Sequence, residues 1–436
     1  MGCSSSKSET VHVKDPARSR QTDQENLNQY QKIDEHARKA PNSVKNSAEE
    51  LVNYMSSVSK DPRLLTRGFF IWISENIRYD VDGYFERAKK APCDAESVMK
   101  GGSTVCEGYA NVMELLCRHA GVPVKKISGH AKGYSHSAAN PITLETDTNH
   151  AWNAVQLEGK WYLLDSTWGA GHLDTTNSFQ KEFEEFYFLT DPKHFISTHF
   201  PYMDKNMEES KKWQLLAKPI SLEQFNKNVK YKPTAFKLGA QAVSHQQGYV
   251  EMKNKLQMTF RSVGKEDIVY SATLLLKEGN ILQEQRNATF GYPENGLFKL
   301  LIHPPKPGTY RMNVFGQRVS EGKLQGIPEL MEYTINCTEV KEKDFEYPMS
   351  YIAAGSEKTI LHEPLRGKLP ANKEVKFRVS APHLQNVRVG DTYLEKSGIM
   401  FSGNVTTGTA GQQIVLYGTR GDKYDKLQGL YAFQLQ

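Results

Sequence analysis

The sequence predicts an α+β protein: helices packed on an antiparallel sheet, followed by two β-sandwich domains. Three observations point there. Between residues of about 48 and 120, apolar positions recur at helical spacing. Two short apolar runs, NHAWNAVQL and KWYLLDSTW, flank Glu158-Gly159, which is a hairpin signal. After residue 230 the pattern becomes short alternating runs broken by Gly, Pro and Asn turns, as sandwich strands require. These shifts divide the 436 residues into a tether (1–47), a mixed core (48–225) and two sandwich domains (230–342 and 343–436).

The tether comes first. MGCSSSKS places Gly2 after the initiator Met and Ser6 where N-myristoylation wants a small hydroxyl residue, with Cys3 beside the acceptor as a palmitoylation candidate. One myristoyl chain binds membranes only marginally, so Cys3 would supply the second anchor. The remainder, to residue 47, is rich in Ser, Lys, Gln, Asp and Asn and poor in aromatics, and is expected to be disordered.

Helices follow. SAEELVNYMSSV opens on a cap candidate, Ser47, with Leu51, Tyr54 and Met55 on one face. TRGFFIWISENIRYD reads as a buried helix through Phe69, Phe70, Trp72, Ile73 and Ile77. From Cys106 to Ala120, Tyr109, Val112, Met113 and Leu116 keep the helical period, and Gly121 and Pro123 end it. VKKISGHAKG is a strand reaching Gly133, then a Ser/Asn/Thr-rich loop leads to the hairpin. In the tail, PGTYRMNVFG and AGQQIVLYG resemble each other, which suggests two related sandwiches.

Composition excludes several classes. A net charge of +5 over this length is too dilute for nucleic acid, and no nucleic-acid partner is expected. No apolar run is long enough to span a membrane. Five cysteines (Cys3, Cys93, Cys106, Cys117, Cys337) show neither disulfide nor zinc spacing, so a reducing, cytoplasmic compartment is expected. No acidic cluster has calcium-loop spacing, so neither metal nor cofactor is expected.

Cys106 stands apart from the other thiols. In the first turn of a helix it meets the positive end of the helix dipole and free backbone N–H groups, which favour thiolate. Cys117 lies near the other end. Position alone leaves Cys106 open between a small core residue and a nucleophile. A nucleophilic thiol wants an imidazole and a group to orient it. If Glu158-Gly159 is a two-residue turn, Leu157 pairs with Lys160, Asp165 falls opposite Trp152, and His150 and Asp165 share a face as diagonal neighbours. A three-residue loop would separate them. His130 and His136 read as structural or exposed, and Glu107 as a first-turn carboxylate favoured by the dipole.

GGSTVCEGYANVMELLCRHAGVP and NHAWNAVQLEGKWYLLDSTWGAG together resemble the transglutaminase-like superfamily. The resemblance implies a papain-like core and a Cys106, His150, Asp165 triad. FYFLTDPKHFISTHFP, KKWQLL and the β-rich tail are similar to the kyphoscoliosis peptidase and hillarin subgroup, which implies a cytoskeleton-associated protein. The expected activity is acyl transfer or peptide hydrolysis on a protein substrate. The oxyanion would meet the Cys106 backbone N–H and a second donor, for which Trp72 and Trp152 are candidates unless both are core. The expected location is cytoplasmic, against the inner face of a membrane, with the cytoskeleton as a further site. The competing expectation is a non-catalytic, membrane-tethered scaffold for cytoskeletal partners.

Overall fold

A computed structural model describes residues 29–436 apart from 134–135, 175, 265, 280, 322–325 and 423–424. Gly2, Cys3 and the tether up to residue 28 lie outside the described residues. The chain forms two compact units. One runs to Ala131 and takes in Asp147–Phe195 and His199–Pro219; the other takes Lys132–Thr146, Ile196–Thr198 and Ile220–Gln436. No helix of the described residues is long and apolar enough to cross a membrane.

The first unit begins inside the expected tether. Residues 29–38 form helix α1, which buries Ile33, Asp34 and Ala37. This corrects the expectation of disorder through residue 47. The segment is too polar to fold alone, and Arg67 supplies what it lacks. The Arg67 guanidinium, 4% exposed, pairs with both oxygens of Asp34 at 2.7 Å and both of Glu185 at 2.7 Å.

Helix α2 (Ala48–Ser56) starts where Ser47 accepts from the Glu50 N–H, the expected cap. Helix α3 (Pro62–Asn76) is capped by Asp61, which accepts from the N–H groups of Arg63 and Leu64. It is buried on nearly all sides through Phe69, Phe70, Ile71, Trp72 and Ile73. Each such side chain contributes about 1.5–3 kcal/mol of burial. The helix ends four residues before the sequence pattern suggests. Ile77 turns to extended backbone, and Arg78–Tyr79 (β1) pair in parallel with Ser103–Thr104 (β2).

Helix α4 (Cys106–His119) follows at once and packs on the sheet. A Cβ on Gly108 would lie 2.1 Å from Thr104 Oγ1, so only glycine lets the first turn of α4 close on β2. The sheet has four antiparallel strands in the order β5 (Lys160–Leu164), β4 (His150–Leu157), β3 (Val124–Ala131) and β6 (His199–Pro201). Strand β3 ends at Ala131, two residues short of the expected Gly133. A Cβ on Gly129 would fall 2.3 Å from Phe200 O and 2.5 Å from the Trp152 ring, so this glycine admits β6 beside β3.

The second unit holds two sandwiches. In the first, one sheet runs β7 (Ala240–Ala242), β9 (Leu256–Ser262), β13 (Leu297–Ile302), β12 (Thr289–Glu294). The other runs β8 (Tyr249–Lys253), β15 (Glu329–Glu339), β14 (Gly308–Arg318), β10 (Ile268–Glu278), β11 (Ile281–Gln285), with β8 parallel to β15. This is the immunoglobulin arrangement of two facing sheets. The second sandwich repeats it. Ile360–Glu363, Glu374–Ser380, Met400–Thr406 and Glu395–Ser397 form one sheet. Met349–Ser350, Gln428–Leu435, Gln413–Thr419, Asn386–Val389 and Thr392–Tyr393 form the other, and Lys368–Leu369 adds a parallel contact to Gln428–Leu435. The two stretches that resemble each other in sequence thus occupy equivalent central strands, 308–318 and 413–419.

Lys132 is completely buried in this unit. Its Nζ donates to Phe225 O and Asn228 O, each at 2.6 Å. Burial, with the nearby charge of Lys230 opposing Glu332, lowers its pKa to about 7. Lys230 is lowered to about 8, again mainly by burial, despite Glu332. Arg311 and His136 also face this cluster. An unfolded lysine keeps its proton to about pH 10. Between pH 7 and 10 the unfolded chain therefore binds more protons, and the stability of this unit rises with pH. Lys132→Met should raise stability at pH 7 by about 1–3 kcal/mol and flatten that rise. Urea unfolding at pH 7 and 9.5 checks both; a wild-type midpoint independent of pH would rule out the buried charge.

Candidate active site

Strand β4 and its neighbours assemble the site. The hairpin turn is the two-residue one: Glu158 and Gly159 both adopt positive φ (52° and 76°), and Leu157 pairs with Lys160. Glu158 carries the strain of the left-handed region there, and Arg63 Nη2 meets its carboxylate at 3.1 Å.

One part of the expected register fails. The ladder stops at Asn153↔Leu164, so Asp165 does not pair with Trp152. Asp165 is instead the N-cap of helix α5 (Ser166–Ala170). Its Oδ1 accepts from the N–H groups of Thr167 at 2.8 Å and Trp168 at 3.1 Å. The reason is local: an Asp before Ser-Thr-Trp can satisfy two free N–H groups of a helix start, which a strand would leave unmet. The turn still brings His150 and Asp165 together, with His150 Nε2 2.7 Å from Asp165 Oδ2.

Cys106 completes the arrangement. Its sulfur lies close enough to the His150 ring to act on its charge, and because Nε2 is already engaged by Asp165, Nδ1 is the nitrogen left for the thiol. Burial opposes charge on His150, but the Asp165 carboxylate and the Cys106 sulfur outweigh it, and the pKa rises above the ordinary histidine range. Burial also pushes Asp165 toward neutrality. The hydrogen bonds and charge of His150, with those of His199, win and hold it below the usual carboxylate range. The pair is thus built to hold an imidazolium against a carboxylate. Cys117, buried in the core at the far end of α4, is pushed up to about 12 by burial.

His199 is a member that sequence reasoning missed. Its Nε2 lies 3.1 Å from the same Asp165 Oδ2. Burial lowers its pKa to about 4 against the pull of Asp165, so it is neutral and donates one N–H. Its ring stacks on Phe195 at 4.0 Å and meets Trp168 at 4.4 Å. In the sequence, FISTHFP showed only aromatic anchors. The signal available was a histidine within an otherwise apolar strand, a residue that must find a polar partner.

Two ring nitrogens and a carboxylate oxygen within 4.8 Å of one another also make His150, Asp165 and His199 a conceivable metal group. The distances to the shared oxygen are those of N–H···O hydrogen bonds.

Tyr79 is the second addition. It ends β1 directly beside Thr104, two residues before Cys106. Burial raises the pKa of its hydroxyl, and the charge of Cys106 is the next largest cause. Tyr84 and Phe179 flank its ring at 5.8 and 6.2 Å. Of the two indoles considered as oxyanion donors, Trp72 is a core residue at 2% exposure. Trp152 is 1% exposed, and its Nε1 has no partner among the described residues. Glu107 is held by Lys126, which also donates to Asn111 at 2.9 Å. His130 is buried against Tyr202, consistent with a structural residue.

The profile of the transglutaminase-like superfamily matches residues 49–166, the stretch that contains Cys106, His150 and Asp165. The chain belongs to the transglutaminase-like superfamily. Behind this transglutaminase-like core, residues 222–348 match the KY-like, immunoglobulin-like domain. Human kyphoscoliosis peptidase is 33% identical over 318 residues, covering 72% of this chain and 44% of its own. The mouse protein of that name is 34% identical over the same shares. Hillarin of Drosophila melanogaster is 29% identical over 139 residues, 29% of this chain and 16% of its own. The chain spans less than half the length of these curated relatives.

Proposed function

We propose that the transglutaminase-like core is a thiol acyltransferase or peptidase acting on protein substrates. One observation carries the reading: Asp165 Oδ2 holds the His150 ring by Nε2 at 2.7 Å, beside Cys106 in the first turn of α4. Cys106 thiolate attacks the carbonyl carbon of a glutamine carboxamide or a peptide bond. His150 gives its Nδ1 proton to the departing ammonia or amine, which leaves a thioester. Water or a second amine then attacks the thioester; His150 takes the proton from the attacking group, and the thiolate leaves. Asp165 stabilises the imidazolium and fixes its orientation, and His199 positions Asp165.

The Cys106 backbone N–H, at the start of α4, faces the developing oxyanion together with the Tyr79 hydroxyl. Tyr79→Phe is expected to lower turnover about 10–100-fold, within the range for loss of one oxyanion donor, with little change in thermal stability. An unchanged kcat for release of ammonia from a glutamine peptide would remove Tyr79 from the mechanism.

Alkylation tests the nucleophile. Iodoacetamide should label Cys106 well ahead of Cys117, and its rate profile against pH should change in His150→Ala. Equal labelling of the two thiols, or a profile indifferent to His150, would defeat the reading.

The proposal includes an anchor. Myristate on Gly2 and palmitate on Cys3 would hold the protein at the cytoplasmic face of a membrane, near cytoskeletal partners. Metabolic labelling with a myristate analogue should mark the wild type and not Gly2→Ala. A second reading, a non-catalytic membrane-tethered scaffold for cytoskeletal proteins, draws on the two sandwich domains, which carry none of the triad. A Cys106→Ala protein that retains every cellular effect would favour it.

A further inference from the structure

The junction of the two sandwiches contains a cleft of about 300 Å³, lined by Glu284, Arg286, His303, Lys343, Phe345 and Glu346 among others. His303 is 1% exposed, and neither of its ring nitrogens has a partner among the described residues. Its ring packs edge-on against Phe345 at 4.5 Å. Burial lowers its pKa, with Lys255 the next cause, so the ring is neutral and offers one donor and one acceptor. A buried polar side chain of this kind is normally satisfied.

The charges around it are unequal. Lys255 and Arg366 both sit over the Phe345 ring and both pair with Glu342, at 3.0 and 2.8 Å. Lys368 pairs with Glu346 at 2.5 Å. Arg286 and Lys343 line the cleft without an ion pair among the described residues, and Glu284 alone remains opposite them. An anion therefore fits. Because the carboxylates of Glu284 and Glu346 also line the cleft, a singly charged carboxylate meets less repulsion there than a phosphate dianion.

The strand that leads into the cleft indicates how such a group would arrive. β11 is the edge of its sheet, hydrogen-bonded among the described residues only to β10, and it exposes Ile281 (70%) and Leu282 (42%) before running into Glu284. An open edge with apolar side chains accepts an extended peptide as an added strand.

We propose that this cleft binds an acidic side chain of a partner protein, presented on an extended segment that pairs with the free edge of β11. His303 donates its N–H to the carboxylate, and Arg286 and Lys343 supply the opposite charge. The site is independent of the acyl-transfer chemistry.

The test uses the full chain and fluorescein-labelled peptides that alternate valine and threonine around one central glutamate, glutamine or phosphoserine. Anisotropy should show the glutamate peptide binding at least about tenfold more tightly than the glutamine peptide. Arg286→Gln, Lys343→Gln and His303→Phe should each weaken it several-fold. His303→Phe should leave the melting temperature unchanged or higher, because phenylalanine needs no polar partner. The glutamate peptide should also shift the His303 ring ¹⁵N signals. Equal binding of the glutamate and glutamine peptides would overturn the proposal, and so would tighter binding of the phosphoserine peptide. Free glutarate that binds as well as the peptide would overturn the strand-pairing part.

Discussion

Replacing Asp165 with asparagine should lower turnover by about 10³–10⁴-fold while leaving the fold largely intact. Asn is as good a helix cap as Asp, so the Thr167 and Trp168 N–H groups keep their acceptor at Oδ1. The other side of the group changes sign. The amide NH₂ takes the place of Oδ2 and faces two imidazole nitrogens that now donate to it. His150 must flip its ring or shift its proton, and its raised pKa falls back once the largest favourable cause is gone. Three measurements separate this from simple damage: kcat on a glutamine peptide, the melting temperature, and the pH titration of the His150 ring by NMR. A mutant with normal kcat would show that the carboxylate charge is not needed. A mutant that melts far below the wild type would show that the cap, not the chemistry, was lost. His199→Gln keeps a donor to Oδ2 and should cost much less than Asp165→Asn.

Arg67→Met should destabilise the first unit by about 3–5 kcal/mol, the cost of breaking a buried pair from one side. Two bidentate contacts disappear, and Asp34, 9% exposed, is left without its cation. The guanidinium also covers aromatic rings, lying 4.8 Å from the Phe188 centroid and 5.3 Å from that of Tyr30. Glu185 is more exposed than Asp34, so most of the penalty belongs to Asp34. The double substitution Arg67→Met with Asp34→Asn should recover a good part of the loss. Urea unfolding gives the energies, and limited proteolysis gives the place: cleavage should appear within residues 29–47 before the rest of the unit opens. If the double mutant is no better than the single one, the buried carboxylate is not the source of the cost.

These two residues also show what was readable in advance. The pairing of His150 with Asp165 followed from alternation and turn length, both of which are local. The way they meet did not. The hairpin register places Asp165 in the strand, whereas Asp-Ser-Thr-Trp makes it a cap, and the contact holds because the turn into α5 keeps the carboxylate on the same side. Helix α1 was missed because its apolar positions, Tyr30, Ile33 and Ala37, are few, and its main partner lies more than thirty residues away in Arg67. His199 was missed for the same reason: it reaches Asp165 only because β6 lies beside β3. The sandwiches were legible in strand number and period. The parallel contact of β8 with β15 joins residues about eighty apart and leaves no local trace.

The divided carboxylate of Asp165 bears on how relatives of this chain should be sorted into active and inactive members. One oxygen serves the start of a helix, whether or not any reaction takes place. A lineage that abandons the chemistry has no structural reason to keep Cys106 or His150, but it retains a folding reason to keep Asp165. An aspartate at this position therefore says little about turnover. The informative pair is the thiol and the imidazole, and a homologue that has lost either while holding the aspartate has the pattern of a retired enzyme rather than a sequencing error.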